Sequence, residues 1–268
     1  MAMPRVLVLT GYGINCDFET KAAFDAAGAS AERVHINDLI SGDRKLADYQ
    51  ILAFPGGFSY GDDIASGKVL AVKSKVNLGD EIMRFIEAQK LIIGICNGFQ
   101  VIAKYGLLAD PDGDYRTQRV TVTFNDSNRY EDRWVHLLRV SDQCVWTAGV
   151  DRIYLPVAHG EGKFFATPER LDAIEKNGQV AFRYATPDYQ PANGEFPLNP
   201  NGAQNDIAGI CDPTGRILGM MPHPERFLHF TNHPHWTRIR EELKRADQSM
   251  PDEGDGLKIF KNGVAYFN

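Results

Sequence analysis

The chain has 268 residues, 29 Lys+Arg against 35 Asp+Glu, a formal net charge of −6 and 43% hydrophobic residues. That length supports one large or two small domains with a sizeable core, and the composition excludes a disordered chain. The acidic balance argues against a general nucleic-acid binder, and no stretch approaches the ~20 apolar residues of a membrane helix.

Arg5–Thr10 (RVLVLT) reads as a first short strand. The opening MAMPRVLVLT is too short in its apolar run for a secretory signal, and Arg5 interrupts it. Asn15 or Asp17 can cap a helix that runs to about Ala27, where Gly28 supplies the stop. Arg33–Ile36 and Gln50–Phe54 are two further short runs, the second cut off by Pro55-Gly56-Gly57. Asp80–Lys90 is expected as a helix, with Ile82, Met83, Phe85 and Ile86 on one face. Leu91–Ile95 follows as a continuous apolar run. Runs apolar on both faces, alternating with amphipathic helices, predict an α/β fold with a parallel sheet covered on both sides. Ligands of such sheets bind at the carboxyl ends of the strands, here the loops after residues 10, 54 and 95.

The middle of the chain changes pattern. Thr117–Asn125, Arg133–Val140 and Arg152–Val157 alternate apolar with polar and read as strands, extending the sheet in mixed or antiparallel fashion. Thr167-Pro168 starts a helix that ends near Gly178. Residues 186–205, rich in Pro, Gly and Asn, form a long loop. Asp206–Cys211 and Arg216–Met221 are strands around a turn at 212–215. Pro234–Gln248 is expected as a helix whose Trp236, Ile239 and Leu243 stripe packs on the sheet. Leu257–Phe267 reads as a β-hairpin around Asn262-Gly263. No clear linker divides the chain, so residues 1–248 are taken as one α/β domain and 249–268 as a C-terminal extension carrying the hairpin.

Four cysteines occur, at 16, 96, 144 and 211, with no CxxC pair. Neither a metal site nor a disulfide framework is expected, and a cytoplasmic protein with reduced thiols is. One of the four stands in a distinctive setting. Gly94-Ile95-Cys96-Asn97-Gly98 joins an apolar strand to a helix, the cysteine counterpart of the G-x-S-x-G nucleophile elbow. The turn is sharp, so its neighbours must lack bulk. The helix N-terminus behind it favours a thiolate. The backbone N–H of Asn97 is placed for an oxyanion hole. The plain alternative is a buried structural cysteine, which the flanking glycines disfavour.

A cysteine nucleophile needs a base. Met221-Pro222-His223-Pro224-Glu225 puts a histidine just past a strand between two prolines, with an acid two residues on to orient the ring. Gly56-Gly57, at the end of another strand, can offer a second oxyanion donor.

These segments resemble the class I (triad-type) glutamine amidotransferases, and among them the glutaminase subunits of phosphoribosylformylglycinamidine synthase. The matching stretches are Gly13–Asp17 (GINCD), Pro55–Asp62 (PGGFSYGD), Gly94–Gln100 (GICNGFQ), His159–Lys163 (HGEGK) and Pro222–Arg226 (PHPER), spread over nearly the whole length. After Asp62 the chain departs from that pattern, running Asp63-Ile64-Ala65-Ser66-Gly67.

The resemblance implies a doubly wound, flavodoxin-like sheet with helices on both faces. It implies Cys96 as nucleophile, His223 as general base and acid, Glu225 as its orienter, and the backbone of Gly57 and Asn97 at the oxyanion. Gly56, Phe58, Ser59, Tyr60 and Gln100 would line the L-glutamine pocket. His159 and Glu161 would lie near an ammonia exit or an interface. Partners would be a large synthetase subunit using ATP and Mg²⁺, with or without a small bridging subunit. No cofactor is expected on this chain, which has no G-x-x-x-x-G-K-[ST] to hold phosphates. Two alternatives stay open: an amidotransferase subunit for another acceptor, and a stand-alone cysteine hydrolase of related fold.

Overall fold

Strands with no polar face to give to water must be covered on both sides, and this requirement sets the centre of the molecule. The computed structural model describes residues 3–108 and 113–268. Met1 and Ala2 of the opening segment lie outside them. β1 (Arg5–Thr10), β2 (Ser30–His35), β3 (Ile51–Phe54) and β4 (Leu91–Ile95) pair in parallel in the order β2-β1-β3-β4. Every residue of β3 and β4 is buried.

Helices α1 (Asp17–Ala26), α2 (Ile36–Ser41), α3 (Lys68–Glu87) and α4 (Asn97–Tyr105) follow these strands in turn. The crossover from β1 to β2 runs one way along the sheet and that from β3 to β4 the other way. Right-handed crossovers then place α1 and α3 on opposite faces. The reversal between β1 and β3 opens a crevice at the carboxyl ends of the strands.

The second half completes a nine-stranded sheet. β11 (Ile217–Met220) lies parallel beside β4. β10 (Ile207–Cys211), β9 (Val180–Ala185), β6 (Glu131–Arg139) and β7 (Arg152–His159) then follow antiparallel, to the far edge. β5 (Thr121–Thr123) and β8 (Lys163–Phe165) form a separate ribbon, and α5 (Pro168–Lys176) precedes β9. The sheet is thus the mostly parallel, doubly wound α/β core with added antiparallel strands that the sequence predicts.

Several elements differ from that reading. α3 starts at Lys68, well before Asp80, because its first half presents Leu70, Ala71, Ser74 and Leu78 to the core. β9 was not anticipated. It is covered on both faces and shows no alternation, so period-two reasoning passes over it.

The expected C-terminal hairpin is instead a helix, α7 (Leu257–Ala265). Leu257, Phe260 and Val264 recur at helical spacing and are buried with Ile259. Asn262-Gly263 makes no turn. Its glycine lets the helix approach the Trp146 ring, where a Cβ would come within 2.3 Å. Asn262 Nδ2 donates to the carbonyls of Trp146 and Ala148 at 2.9 Å. Residues of this tail therefore share the core of the sheet domain.

The stripe of α6 (Trp236–Arg245) does not pack on the sheet. None of its residues is buried. Trp236, Ile239 and Leu243 stay half-exposed, and Arg240 lies over the Trp236 ring at 5.1 Å. A helix this rich in Arg, Lys and Glu has too narrow an apolar face to hold itself against the core.

Candidate active site

The loops at the carboxyl ends of β1, β3, β4 and β11 meet at one place. The turn after β1 is tied to the turn after β3: Asn15 and Cys16 donate their N–H groups to the Gly56 carbonyl at 3.3 and 3.2 Å, and Phe58 donates to Gly13 at 2.7 Å. Cys96 follows β4 directly, and its N–H bonds the Met220 carbonyl of β11 at 2.8 Å. His223 N–H reaches across to Pro156 of β7 at 2.8 Å.

Cys96 has φ 52° and ψ −107°, a left-handed backbone that L side chains rarely adopt. The elbow read from the sequence is therefore present. Its glycines serve close approach. A Cβ on Gly98 would meet the Phe54 carbonyl oxygen at 1.8 Å, and one on Gly94 the Gly98 carbonyl at 2.6 Å. The turn can thus press against β3 only if both are bare. The Cys96 thiol is buried at the N-terminus of α4 and donates to the Ala158 carbonyl at 3.6 Å. Asn97 is the first residue of α4, so its N–H has no intrahelical acceptor.

His223 and Glu225 flank Pro224 in a single 3₁₀ turn, both buried. Nδ1–H of His223 donates to Glu225 Oε1 at 2.6 Å. Nε2 is buried and makes no hydrogen bond of good geometry, with the Cys16 and Cys96 sulfurs near it. Burial opposes a charge on the ring. The Glu225 carboxylate and the sulfurs of Cys96 and Cys16 outweigh it, so His223 holds its proton well above the usual histidine range. Gly56 sits against this ring, where a Cβ would meet Cε1 at 2.8 Å and the Cys16 sulfur at 3.1 Å.

Cys16, in the Gly13–Asp17 stretch that matches the family, belongs to this cluster. Its sulfur accepts from Arg226 at 3.1 Å and lies within 4.8 Å of ligand atoms of His223 and Glu225. The Arg226 cation at that sulfur works against a metal ion there.

A cavity of about 240 Å³ opens over Cys96. Gly57, Phe58, Asp62, Gln100, His159 and Glu161 are on its wall, together with Arg129 and Tyr130, which sequence reasoning did not single out. Asn97 organises the floor. Its Oδ1 accepts the Ser59 N–H at 3.2 Å, and its Nδ2 donates to Gln100 Oε1 at 2.8 Å and Asp62 Oδ1 at 3.2 Å. Gln100 Nε2 in turn donates to the Glu161 carbonyl.

Ser59 and Tyr60, expected on the glutamine pocket, do not reach the wall. The 3₁₀ turn over Ser59–Asp62 carries them behind it, where Tyr60 N–H bonds Tyr12 and its ring packs edge-on against Tyr12.

His159 and Glu161 are buried. They face the cavity, and a surface contact with another chain needs groups that are exposed. His159 is held between Asn125 Oδ1 at Nδ1 (3.1 Å) and Asn201 Nδ2 at Nε2 (3.4 Å). Burial pushes it down to about 3, so it stays neutral. The Pro55–Asp62 stretch, the Gly94–Gln100 elbow and the His-Gly-Glu motif gave a sequence signal for this wall. Arg129 and Tyr130 gave none.

The elbow, the His–Glu pair and the cavity fall within residues 3–267, which match the family model described as the CobB/CobQ-like glutamine amidotransferase domain. The chain belongs to this amidotransferase family. Among its relatives, a Methanococcus maripaludis protein named phosphoribosylformylglycinamidine synthase subunit PurQ is 51% identical over 99% of this chain and 98% of its own. A Dehalococcoides mccartyi protein of the same name is 47% identical, with coverage of 99% and 98%. The solved structure titled PurLQS from Thermotoga maritima has a chain that superposes with a TM-score of 0.72 at 26% identity, covering both chains completely. The amidotransferase domain of this chain thus spans nearly the full length of those relatives.

Proposed function

We infer that this chain is the glutaminase subunit of a phosphoribosylformylglycinamidine synthase, hydrolysing L-glutamine through a Cys96 thioester. The observation that carries the reading is the strained Cys96 elbow beside the His223–Glu225 pair, on a chain about half identical to PurQ subunits.

The Cys96 thiolate attacks the side-chain amide carbon. The carbonyl oxygen becomes an oxyanion held by the N–H groups of Gly57 and Asn97, each worth a few kcal/mol in comparable sites, about 3 per donor. His223, charged and steered by Glu225, gives its Nε2 proton to the departing nitrogen, and ammonia leaves. A γ-glutamyl thioester remains on Cys96. Water, deprotonated by the now neutral His223, attacks it. Glutamate departs and the thiolate returns.

The ammonia passes to a large synthetase subunit, which uses ATP and Mg²⁺ to convert formylglycinamide ribonucleotide to formylglycinamidine ribonucleotide. A small bridging subunit fits the three-letter naming of the Thermotoga maritima assembly. This chain itself carries no cofactor in the scheme.

The test is Cys96→Ala in the complex reassembled with its synthetase. Glutamine-dependent product formation is lost, while formation from added ammonium salt persists at the parent rate. Survival of the glutamine-dependent rate would overturn the assignment.

A further inference from the structure

Two sulfurs stand at the His223 ring, and the glutaminase scheme uses only that of Cys96. Cys16 comes from the turn after β1 and takes no part in the bond changes. It is 1% exposed, and its backbone is fixed. Its N–H bonds the Gly56 carbonyl at 3.2 Å, and its carbonyl accepts from the N–H and the hydroxyl of Thr20 at 3.0 and 2.7 Å. The side chain is held as well. Its thiol donates to Asn15 Oδ1 at 3.3 Å, and its sulfur accepts from Arg226 Nη2 at 3.1 Å. Arg226 closes the 3₁₀ turn that His223 opens, and its guanidinium forms no ion pair with an acid among the described residues. Ring and sulfur converge so closely that only a bare Gly56 fits between them.

The titratable and charged groups facing the ring are Glu225 and Arg226 on its own turn, Cys96 after β4, Cys16 after β1, His159 at the end of β7 and Tyr130 ahead of β6. Burial opposes a charge on the ring, while Glu225, Cys96 and Cys16 favour it. His159 is neutral, and burial pushes Tyr130 up, so it keeps its proton.

This balance changes during turnover. Once Cys96 carries the glutamyl group, its sulfur is bonded and uncharged and supports no imidazolium. Hydrolysis is the step that forms one. The oxygen of water bonds the acyl carbon, and one of its protons passes to Nε2. The C–S bond breaks with its electron pair on the Cys96 sulfur, and the new acid loses its proton to solvent. Through that step Cys16 is the sulfur still available to the ring.

We propose that Cys16, clamped by Arg226, is a positioning residue for thioester hydrolysis, holding the His223 ring while Cys96 is acylated. The proposal rests on the glutaminase reading and deepens it by separating the needs of its two half-reactions. A ring deprived of Cys16 gives up its proton more readily and accepts one less readily. Thioester formation, where His223 is the acid, is spared. Thioester hydrolysis, where it is the base, is slowed.

The experiment uses the complex with its synthetase and radiolabelled L-glutamine. Acid quenching during steady turnover measures the fraction of this chain carrying a γ-glutamyl thioester. Cys16→Ala lowers kcat about five- to tenfold and KM with it, so kcat/KM changes by less than about threefold. The thioester fraction rises above that of the parent. The alkaline limb of the kcat/KM profile moves about one pH unit toward acid. Cys16→Val fills the same space without an acceptor and behaves alike, so the result does not depend on a cavity or on one variant folding. Cys16→Ser keeps an acceptor for Arg226 and the ring, and recovers most of kcat.

Equal losses in kcat and kcat/KM with no added thioester would overturn the proposal and leave Cys16 a packing role. So would an unmoved alkaline limb, or a Cys16→Ser complex no faster than Cys16→Ala. Variants that match a parent forming the thioester would overturn it with the glutaminase reading intact. A parent complex that forms no thioester at all would overturn both.

Discussion

The two halves of the sheet contribute different things to one site. The parallel half, β2-β1-β3-β4-β11, carries the groups proposed to react: Cys96 at the end of β4, Gly57 after β3 and His223 after β11. The antiparallel half, β10-β9-β6-β7, delivers walls: Arg129 and Tyr130 ahead of β6, and Ala158, His159 and Glu161 at the end of β7. Parallel strands buried on both faces are rigid, and short turns at their ends hold reacting atoms in place. The outer antiparallel strands carry longer loops, where charged side chains can face a substrate without joining the core. Reaction and recognition are thus separable by substitution.

The largest break in that division is expected at Cys96. Cys96→Ala lowers glutamine-dependent turnover by about a thousandfold or more, measured against an unchanged ammonia-dependent rate. Glu225→Gln follows, with a loss of about a hundred- to ten-thousandfold in kcat. Its carboxylate holds the proton on His223, so the pH limb reporting that ring moves toward acid, as a kcat/KM profile will record.

Next come the core positions. Phe260→Ala in α7 removes a fully buried ring stacked edge-on to Phe24 at 5.0 Å, costing about 3–5 kcal/mol in urea unfolding.

His159 tests the wall through pH. Its folded value lies near 3, below the ordinary 6.5 of the unfolded chain. Between those values the unfolded state binds more protons, so stability is complete above the unfolded value and falls as pH drops below it. From about pH 7 to pH 5 the loss is about 2 kcal/mol, and His159→Gln flattens that slope. The smallest effect is expected at α6. Trp236→Ser changes stability by less than about 0.5 kcal/mol, because no residue of that helix is buried.

Legibility in the sequence followed how local each feature is. The elbow at Cys96 is contained in five consecutive residues, since strand end, nucleophile and helix start are neighbours in the chain. His223, the prolines and Glu225 are equally compact. Both motifs carried their own steric reasons, and the structure supplies the contacts behind them: Gly98 against Phe54, Gly56 against His223. α7 failed by the opposite route. Asn262-Gly263 is a strong turn signal on its own, yet the close approach to Trp146 gave the glycine a different purpose. The α6 stripe failed because periodicity describes an apolar face but does not say whether the core reaches it.

The sequence by itself determined the parallel sheet, the Cys96 elbow and the His223–Glu225 pair, because each depends on the spacing of residues close in the chain. Only the tertiary structure decided that Cys16 lies beside His223 and that His159 is held neutral between two asparagines. It alone decided that Asp62, Glu161 and Arg129 line the cavity over Cys96. Those groups come from loops far apart in sequence. Their meeting is set by strand order and crossover hand, which no local pattern contains.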